Sequence, residues 1–206
     1  MFRDREDAGK QLADLLKPYK DEDVIVLSIP RGGAEIGYWV AKELRAPHKA
    51  IVVRKLPLPH KPEAGFGAIA EDGSTYMQEG HEDWLSSEEI KRVKKEQQEE
   101  IKRRVQKLRE GEPLPSLKGR TVILVDDGIA MGSTMIAAIK ACSNLGAKRI
   151  IAASPVSSRE VGLVIAKLVD ELIIIETPHN FYAVAQVYER WHDVTYEEAK
   201  KWLRES

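Results

Sequence analysis

Thr121-Val-Ile-Leu-Val-Asp-Asp-Gly-Ile-Ala-Met-Gly-Ser-Thr134 is the stretch that decides how this chain is read. Five residues without a charge, rich in β-branched side chains, run into two adjacent acids. A continuous apolar run of this length is the pattern of a strand buried on both faces, as in a parallel sheet. The strand delivers Asp126 and Asp127 to its carboxyl end. Small residues follow, and a helix is predicted from Gly132 to Leu145, closed by Gly146. The first turn of such a helix exposes unpaired backbone N–H groups at the positive end of its dipole. Ala130, Met131, Gly132, Ser133 and Thr134 therefore suit an anion such as a phosphomonoester. Beside them, Asp126 and Asp127 suit vicinal hydroxyls, or Mg²⁺ held through water. A phosphate grip next to a diol grip describes a ribose 5-phosphate.

Outward from that segment, apolar runs alternate with helical periodicity. Strands are predicted at Val24–Ser28, Ala50–Val53, Arg149–Ser154 and Leu172–Glu176. Helices are predicted at Ala34–Leu44, with Ile36, Val40 and Leu44 on one face, and at Ser158–Leu168. Ser157 and Glu160 stand at capping-box spacing before the latter. Strands joined by helices imply right-handed crossovers and a parallel sheet covered on both sides. In such sheets ligands sit beyond the carboxyl ends of the strands. The second such end is Ser28-Ile-Pro-Arg-Gly-Gly33. There Arg31 offers a guanidinium fork to phosphate oxygens, and Gly32 and Gly33 allow close backbone approach.

Two regions interrupt the alternation. Residues 54–80, rich in Pro, Gly, His and charge, are expected to be a long functional loop, with Phe66–Ala70 a strand returning from it. Residues 86–110 read as a charged helix with a Ser86/Glu89 capping box and a Leu85/Ile90 staple. Its stripe of Ile90, Val93, Ile101, Val105 and Leu108 predicts a surface helix laid on the core or on a second subunit. The terminal stretches Asp4–Leu16 (Ala8, Leu12 and Leu15 inward) and Thr195–Arg204 (capped by Thr195 and Glu198) read as packing helices. One domain is expected, with a core over about 20–83 and 119–176, a helical insertion over 84–118 and a C-terminal region over 177–206.

Composition narrows the function classes. The 206 residues include 32 basic and 33 acidic ones, so bulk positive potential for nucleic acid is not expected. With 43% hydrophobic residues the chain can bury a core. Cys142 alone makes no internal disulfide, and no apolar run approaches a membrane span. The charged start lacks a signal-peptide pattern, which points to a cytoplasmic protein. Gly65-Phe-Gly-Ala-Ile-Ala70 matches a dinucleotide fingerprint by letters only, since no strand precedes it and no helix follows. The five histidines have no ligand spacing.

The 121–134 segment resembles the phosphoribosyl pyrophosphate (PRPP) motif of type I phosphoribosyltransferases. Two positions depart from it: Gly128 stands where an aliphatic residue is usual, and Met131 where Thr is usual. The 28–33 turn is similar to the family's pyrophosphate loop. Arg54-Lys55 is similar to a basic pair that precedes its mobile loop, which here contains His60 and Lys61. Pro178-His-Asn-Phe-Tyr-Ala-Val-Ala185 loosely resembles a purine-binding segment, with Phe181 or Tyr182 as the ring that stacks on the base. The resemblance implies an α/β fold with an open, mainly parallel Rossmann-like sheet, a small hood and a long inserted helix. It implies Mg²⁺-dependent transfer of phosphoribose from PRPP to a base, purine slightly favoured over pyrimidine, with release of pyrophosphate. Asp126, Asp127, Arg31 and Lys55 would be catalytic, and Asp126 and Asp127 would also hold the metal. Arg31, Gly32, Gly33, Arg54 and residues 130–134 would bind PRPP. Implied partners are PRPP and a nucleobase or nucleoside monophosphate, in a homo-oligomer, commonly a dimer, without nucleic acid or membrane. The alternatives are a non-catalytic PRPP or nucleotide sensor and, more remotely, a receiver-like phosphoacceptor. The latter lacks the acid it would need after the first strand.

Overall fold

The computed structural model describes residues 1–206, the side chain of Glu82 excepted. In chain order the elements are α1 (Arg5–Leu16), β1 (Val24–Ser28), α2 (Gly33–Leu44), β2 (His48–Ala50), β3 (Val53–Leu58), β4 (Lys61–Ala70) and β5 (Thr75–Met77). There follow α3 (Ser87–Arg109), β6 (Thr121–Val125), α4 (Ser133–Asn144), β7 (Arg149–Val156), α5 (Arg159–Ala166), β8 (Glu171–Glu176) and α6 (Tyr196–Arg204). Five strands form a parallel sheet in the order β2-β1-β6-β7-β8. This is the open, parallel α/β fold expected from the sequence.

The period-2 geometry of β1 and β6 sorts their residues into two cores. Ile25, Leu27, Val122 and Leu124 pack with α4, whereas Val24, Val26, Ile123 and Val125 pack with α1 and α2. Both faces are apolar because both are covered. In α1 it is Leu16 that is buried, while Leu15, expected to face inward, is 51% exposed. The N-cap of α5 is Ser158, which accepts from the Val161 amide, and not Ser157. Both other predicted capping boxes, Ser86/Glu89 and Thr195/Glu198, are present.

The largest departure lies between α2 and α3. The predicted strand Ala50–Val53 is divided: β2 ends at Ala50 in the parallel sheet, and Val53 opens a second, antiparallel sheet ordered β3-β4-β5. The expected loop over 54–80 is therefore largely paired strand, with Arg54 opposite Ile69 and Leu56 opposite Gly67. Pro57 and the charged residues around it obscure the alternation. The strand is recognisable only through its partner, with the pairing shifting at Pro57. Leu56 and Phe66 on this sheet pack with Val93, Ile101 and Leu108 of α3 and Ala199 of α6.

A buried ion pair fastens α3 to both sheets. Arg109 donates to both Glu71 carboxylate oxygens, at 3.0 and 2.6 Å, and to the Ala50 carbonyl at 2.8 Å. The same carboxylate accepts the Val52 amide at 2.8 Å. His48 is also buried, hydrogen-bonded to the Ser28 and Ser206 hydroxyls at 2.9 and 2.7 Å. Burial pushes its pKa from 6.5 down to about 3. Among the described residues no helix is long and apolar enough to cross a membrane.

Removing one partner of a buried pair strands the other charge. Arg109→Ala is expected to lower unfolding stability by about 3–5 kcal/mol, read by urea denaturation. An effect below about 1 kcal/mol would mean that Glu71 finds water instead. For His48 the folded pKa lies below the unfolded one, so its contribution is present above pH 6.5 and is lost as pH falls towards 3. Wild type should therefore lose stability relative to His48→Gln between pH 7 and pH 4. A pH-independent difference would refute the buried neutral imidazole.

Candidate active site

The carboxyl ends of β1 and β6 lie side by side, because Ser28 pairs with Val125. This brings the turn 29–33 against the acid pair. Gly32 leaves no room for a side chain: a Cβ there would fall 1.8 Å from Asp127 Oδ2. A Cβ on Gly33 would press on the backbone of Val125 and Asp126 at 3.1 Å. The two glycines thus let the turn lie directly on the acids. The Pro30–Arg31 peptide within that turn is cis.

The acids are held differently. Asp126 Oδ1 accepts the Asp127 amide at 2.8 Å. Burial, and then the charge of Asp127, raise the Asp126 pKa well above the ordinary carboxylate range. Asp127 is paired: Arg5 Nε donates to its Oδ2 at 2.8 Å. The Arg5 side chain is 4% exposed. Its guanidinium lies 4.0 Å from the Trp191 ring centroid and donates to the His192 carbonyl at 3.0 Å. The Tyr188 hydroxyl donates to the Asp127 carbonyl at 2.6 Å. The N-terminal stretch read from the sequence as a packing helix, and the segment 188–192 that precedes the C-terminal one, thus reach the acid pair. Arg5, Tyr188 and Trp191 are the site residues that sequence reasoning missed. The one available signal was a basic residue at the start of an otherwise apolar inward face.

Beside the acids opens a cavity of about 430 Å³, lined by Gly128–Thr134 on one side and by Lys55, Gly65, Gly67 and Gln78 of the antiparallel sheet on the other. Gly132, at φ +82, starts α4, and no side chain caps that start. The left-handed backbone requires glycine there. The first-turn amides therefore face the cavity without a side-chain partner. Ser133 and Thr134 line it, and Met131 stands 74% exposed at its rim. The departure at Gly128 has a packing cause: a Cβ there would meet Val184 at 2.3 Å, so Val184 occupies the space an aliphatic side chain would fill.

Lys55 is drawn over the cavity by hydrogen bonds from its ammonium to the carbonyls of Pro62 and Glu63, at 3.0 and 2.8 Å. Arg54, its neighbour on β3, points to the opposite face and donates to Gln97 of α3 at 3.1 Å. The pair expected to act together is split by strand geometry. Arg31 is exposed and lies 5.3 Å from the Tyr196 ring centroid, outside the cavity lining. Neither predicted stacking ring lines the cavity. Phe181 packs with the core group containing Ile173, Ile175 and Val184, and Tyr182 is 83% exposed.

A parallel sheet whose adjacent strands β1 and β6 end in a glycine turn and an acid pair, with an uncapped helix start beside a cavity of about 430 Å³, is the arrangement expected of the phosphoribosyltransferase class. The phosphoribosyl transferase domain matches residues 5–190 of the chain. The chain belongs to the phosphoribosyl transferase family. It is 37% identical over 205 residues to proteins of two Mycobacterium tuberculosis strains that are provisionally named phosphoribosyl transferases. The match covers 98% of this chain but 46% of those proteins, so the chain spans about half the length of the curated relatives it matches. It is also similar to the crystal structure of the protein TT1426 from Thermus thermophilus, with a TM-score of 0.84 and 32% identity over 98% of this chain and 97% of that one.

Because the folded Asp126 holds its proton to higher pH than the unfolded chain does, its charge costs stability as pH rises through the folded pKa. Asp126→Asn keeps an oxygen acceptor for the Asp127 amide. The variant should gain thermal stability relative to wild type between pH 4 and pH 8, followed by circular dichroism. A gain that shrinks with rising pH would contradict the raised pKa.

Proposed function

We propose that the chain transfers the 5-phosphoribosyl group of PRPP to a nitrogenous base, purine slightly favoured, and releases pyrophosphate. One observation carries this reading: the acid pair at the end of β6 leads directly, through the short segment 128–132 that lines the cavity, to the uncapped start of α4. The amides of 132–134, with the Ser133 and Thr134 hydroxyls, receive the 5-phosphate and so fix where the anomeric carbon lies. As the C1–O bond to pyrophosphate breaks, the electron pair leaves with the pyrophosphate and positive charge develops on the ribose ring. Carboxylate at the end of β6 stabilises that charge, and the base nitrogen then bonds to C1 and loses its proton. Arg31 and Lys55 offset the charge of the departing pyrophosphate.

The described residues contain no group of three or more His, Cys, Asp and Glu that would cage a metal. Two carboxylates next to a phosphate-binding turn do fit Mg²⁺, which keeps most of its waters and takes substrate phosphate oxygens. Asp126 and Asp127 would hold it through water, and its charge would add to that of Arg31 and Lys55. Asp127 is an unsuitable free base because Arg5 already occupies one of its oxygens. A cytoplasmic location and a homodimeric state belong to the same reading.

A sensor that binds PRPP without turnover is the second reading, and a specific observation favours it: no aromatic ring lines the cavity among the described residues. Incubation with PRPP, Mg²⁺ and a panel of bases separates the two. Pyrophosphate release that depends on one base is expected for the enzyme, whereas binding with no release under any base identifies the sensor. Thr134→Val should lower kcat/KM about 100-fold, as for loss of one donor to a charged group in a transition state. An unchanged value would remove the hydroxyl from the phosphate grip.

A further inference from the structure

We infer that α3 and α6 add an anion site to the outer side of the turn 29–33, built around Tyr196 and suited to a phosphoryl group. The inference rests on the phosphoribosyl-transfer reading for its ligand, pyrophosphate, and shares Arg31 with it, but its other residues are separate. Three cationic groups surround one phenol ring. The guanidinium carbons of Arg31 and Arg104 lie 5.3 and 5.6 Å from the Tyr196 ring centroid, and the Lys107 ammonium lies 4.7 Å from it. Arg54 faces the same side of β3 and is close enough to Arg104 for the two charges to oppose each other.

The counter-charge is small. Glu100 pairs with Arg104 at 2.9 Å and with Arg103 at 3.4 Å. Among the described residues, Arg31, Arg54 and Lys107 have no carboxylate within ion-pair distance. Burial and then the Arg104 charge lower the Arg54 pKa, so the cation is kept at a cost. An aromatic face relieves part of such crowding, since each cation within about 6 Å of the ring centroid is attracted to it. It cannot neutralise the cluster. An oxyanion can, and guanidinium groups present the fork that phosphate oxygens match. The cluster begins at Arg31, in the turn that meets the leaving group, and continues along α3 through Arg104 and Lys107, one helical turn apart on the same face. A phosphoryl group leaving the crevice along this path meets cations supplied by the inserted helix.

The site takes inorganic pyrophosphate, or the distal phosphate of PRPP while it is still attached. Titration calorimetry distinguishes these sources. Lys107→Gln and Arg104→Gln are helix-compatible and sit outside the cores. Each is expected to weaken pyrophosphate binding to the full chain about ten-fold and to lessen its salt dependence. A nucleoside monophosphate should bind both variants as it binds wild type. A parallel loss for PRPP assigns the site to the attached phosphate as well; an unchanged PRPP affinity assigns it to the released product alone. Pyrophosphate affinity unchanged in both variants overturns the inference, and so does an equal loss for the monophosphate, which would reflect only bulk charge. Wild type that binds neither PRPP nor pyrophosphate would overturn the functional reading too. Variants that match a pyrophosphate-binding wild type would overturn this inference alone.

Discussion

Two adjacent carboxylates at the end of a strand buried on both faces are an electrostatic problem, and the Arg5–Asp127 pair is its solution. Asp126 is pushed towards its protonated form by burial and by its neighbour. Asp127 instead is held by a guanidinium that is itself 4% exposed. Such a pair compensates desolvation only with good geometry and with the remaining donors satisfied. Arg5 meets both conditions, through the 2.8 Å contact to Asp127, the His192 carbonyl and the Trp191 ring. The consequence is topological. The first helix and the segment before the last one must both return to the end of β6. The site is therefore closed by chain segments at opposite ends of the sequence.

The antiparallel sheet does the complementary work on the other side of the crevice. Ile51 still donates to Ser28, continuing the edge of the parallel sheet, and two residues later the chain is committed to different partners. The Glu71–Arg109 pair sits at this branch point and also satisfies the Ala50 carbonyl and the Val52 amide. Backbone groups that would be orphaned where one sheet gives way to the other are thus used up. The branch carries Lys55 to the cavity wall, where two carbonyls fix its ammonium.

Most of the parallel sheet was legible because β1, β6 and β7 are short apolar runs each followed by a helix, a pattern that depends on local sequence alone. The acid pair, the glycine turn and the uncapped helix start were legible for the same reason. What local pattern could not supply was partnership across the chain. The hairpin at 53–70 reads as loop until β4 is laid beside β3. Arg5 belongs to a stretch that reads only as a packing helix until the fold brings it 122 residues forward to Asp127. Phe181 reads as a stacking ring because its neighbours match a motif loosely; its half-buried packing against the core on the α1 and α2 side of the sheet is a fact that no motif records.

The separation of Arg54 from Lys55 joins these threads. Successive residues of a strand face opposite ways, so an adjacent basic pair on β3 cannot serve one pocket. Lys55 serves the cavity over α4, while Arg54 faces α3, where Gln97, Arg104 and Tyr196 surround it. The inserted helix is therefore more than a cover for the apolar face of the antiparallel sheet. Its inner stripe of Val93, Ile101 and Leu108 fixes its height and rotation, and that rotation determines which cations it turns towards Arg31. Packing of the stripe and placement of the charge are set by the same helical register.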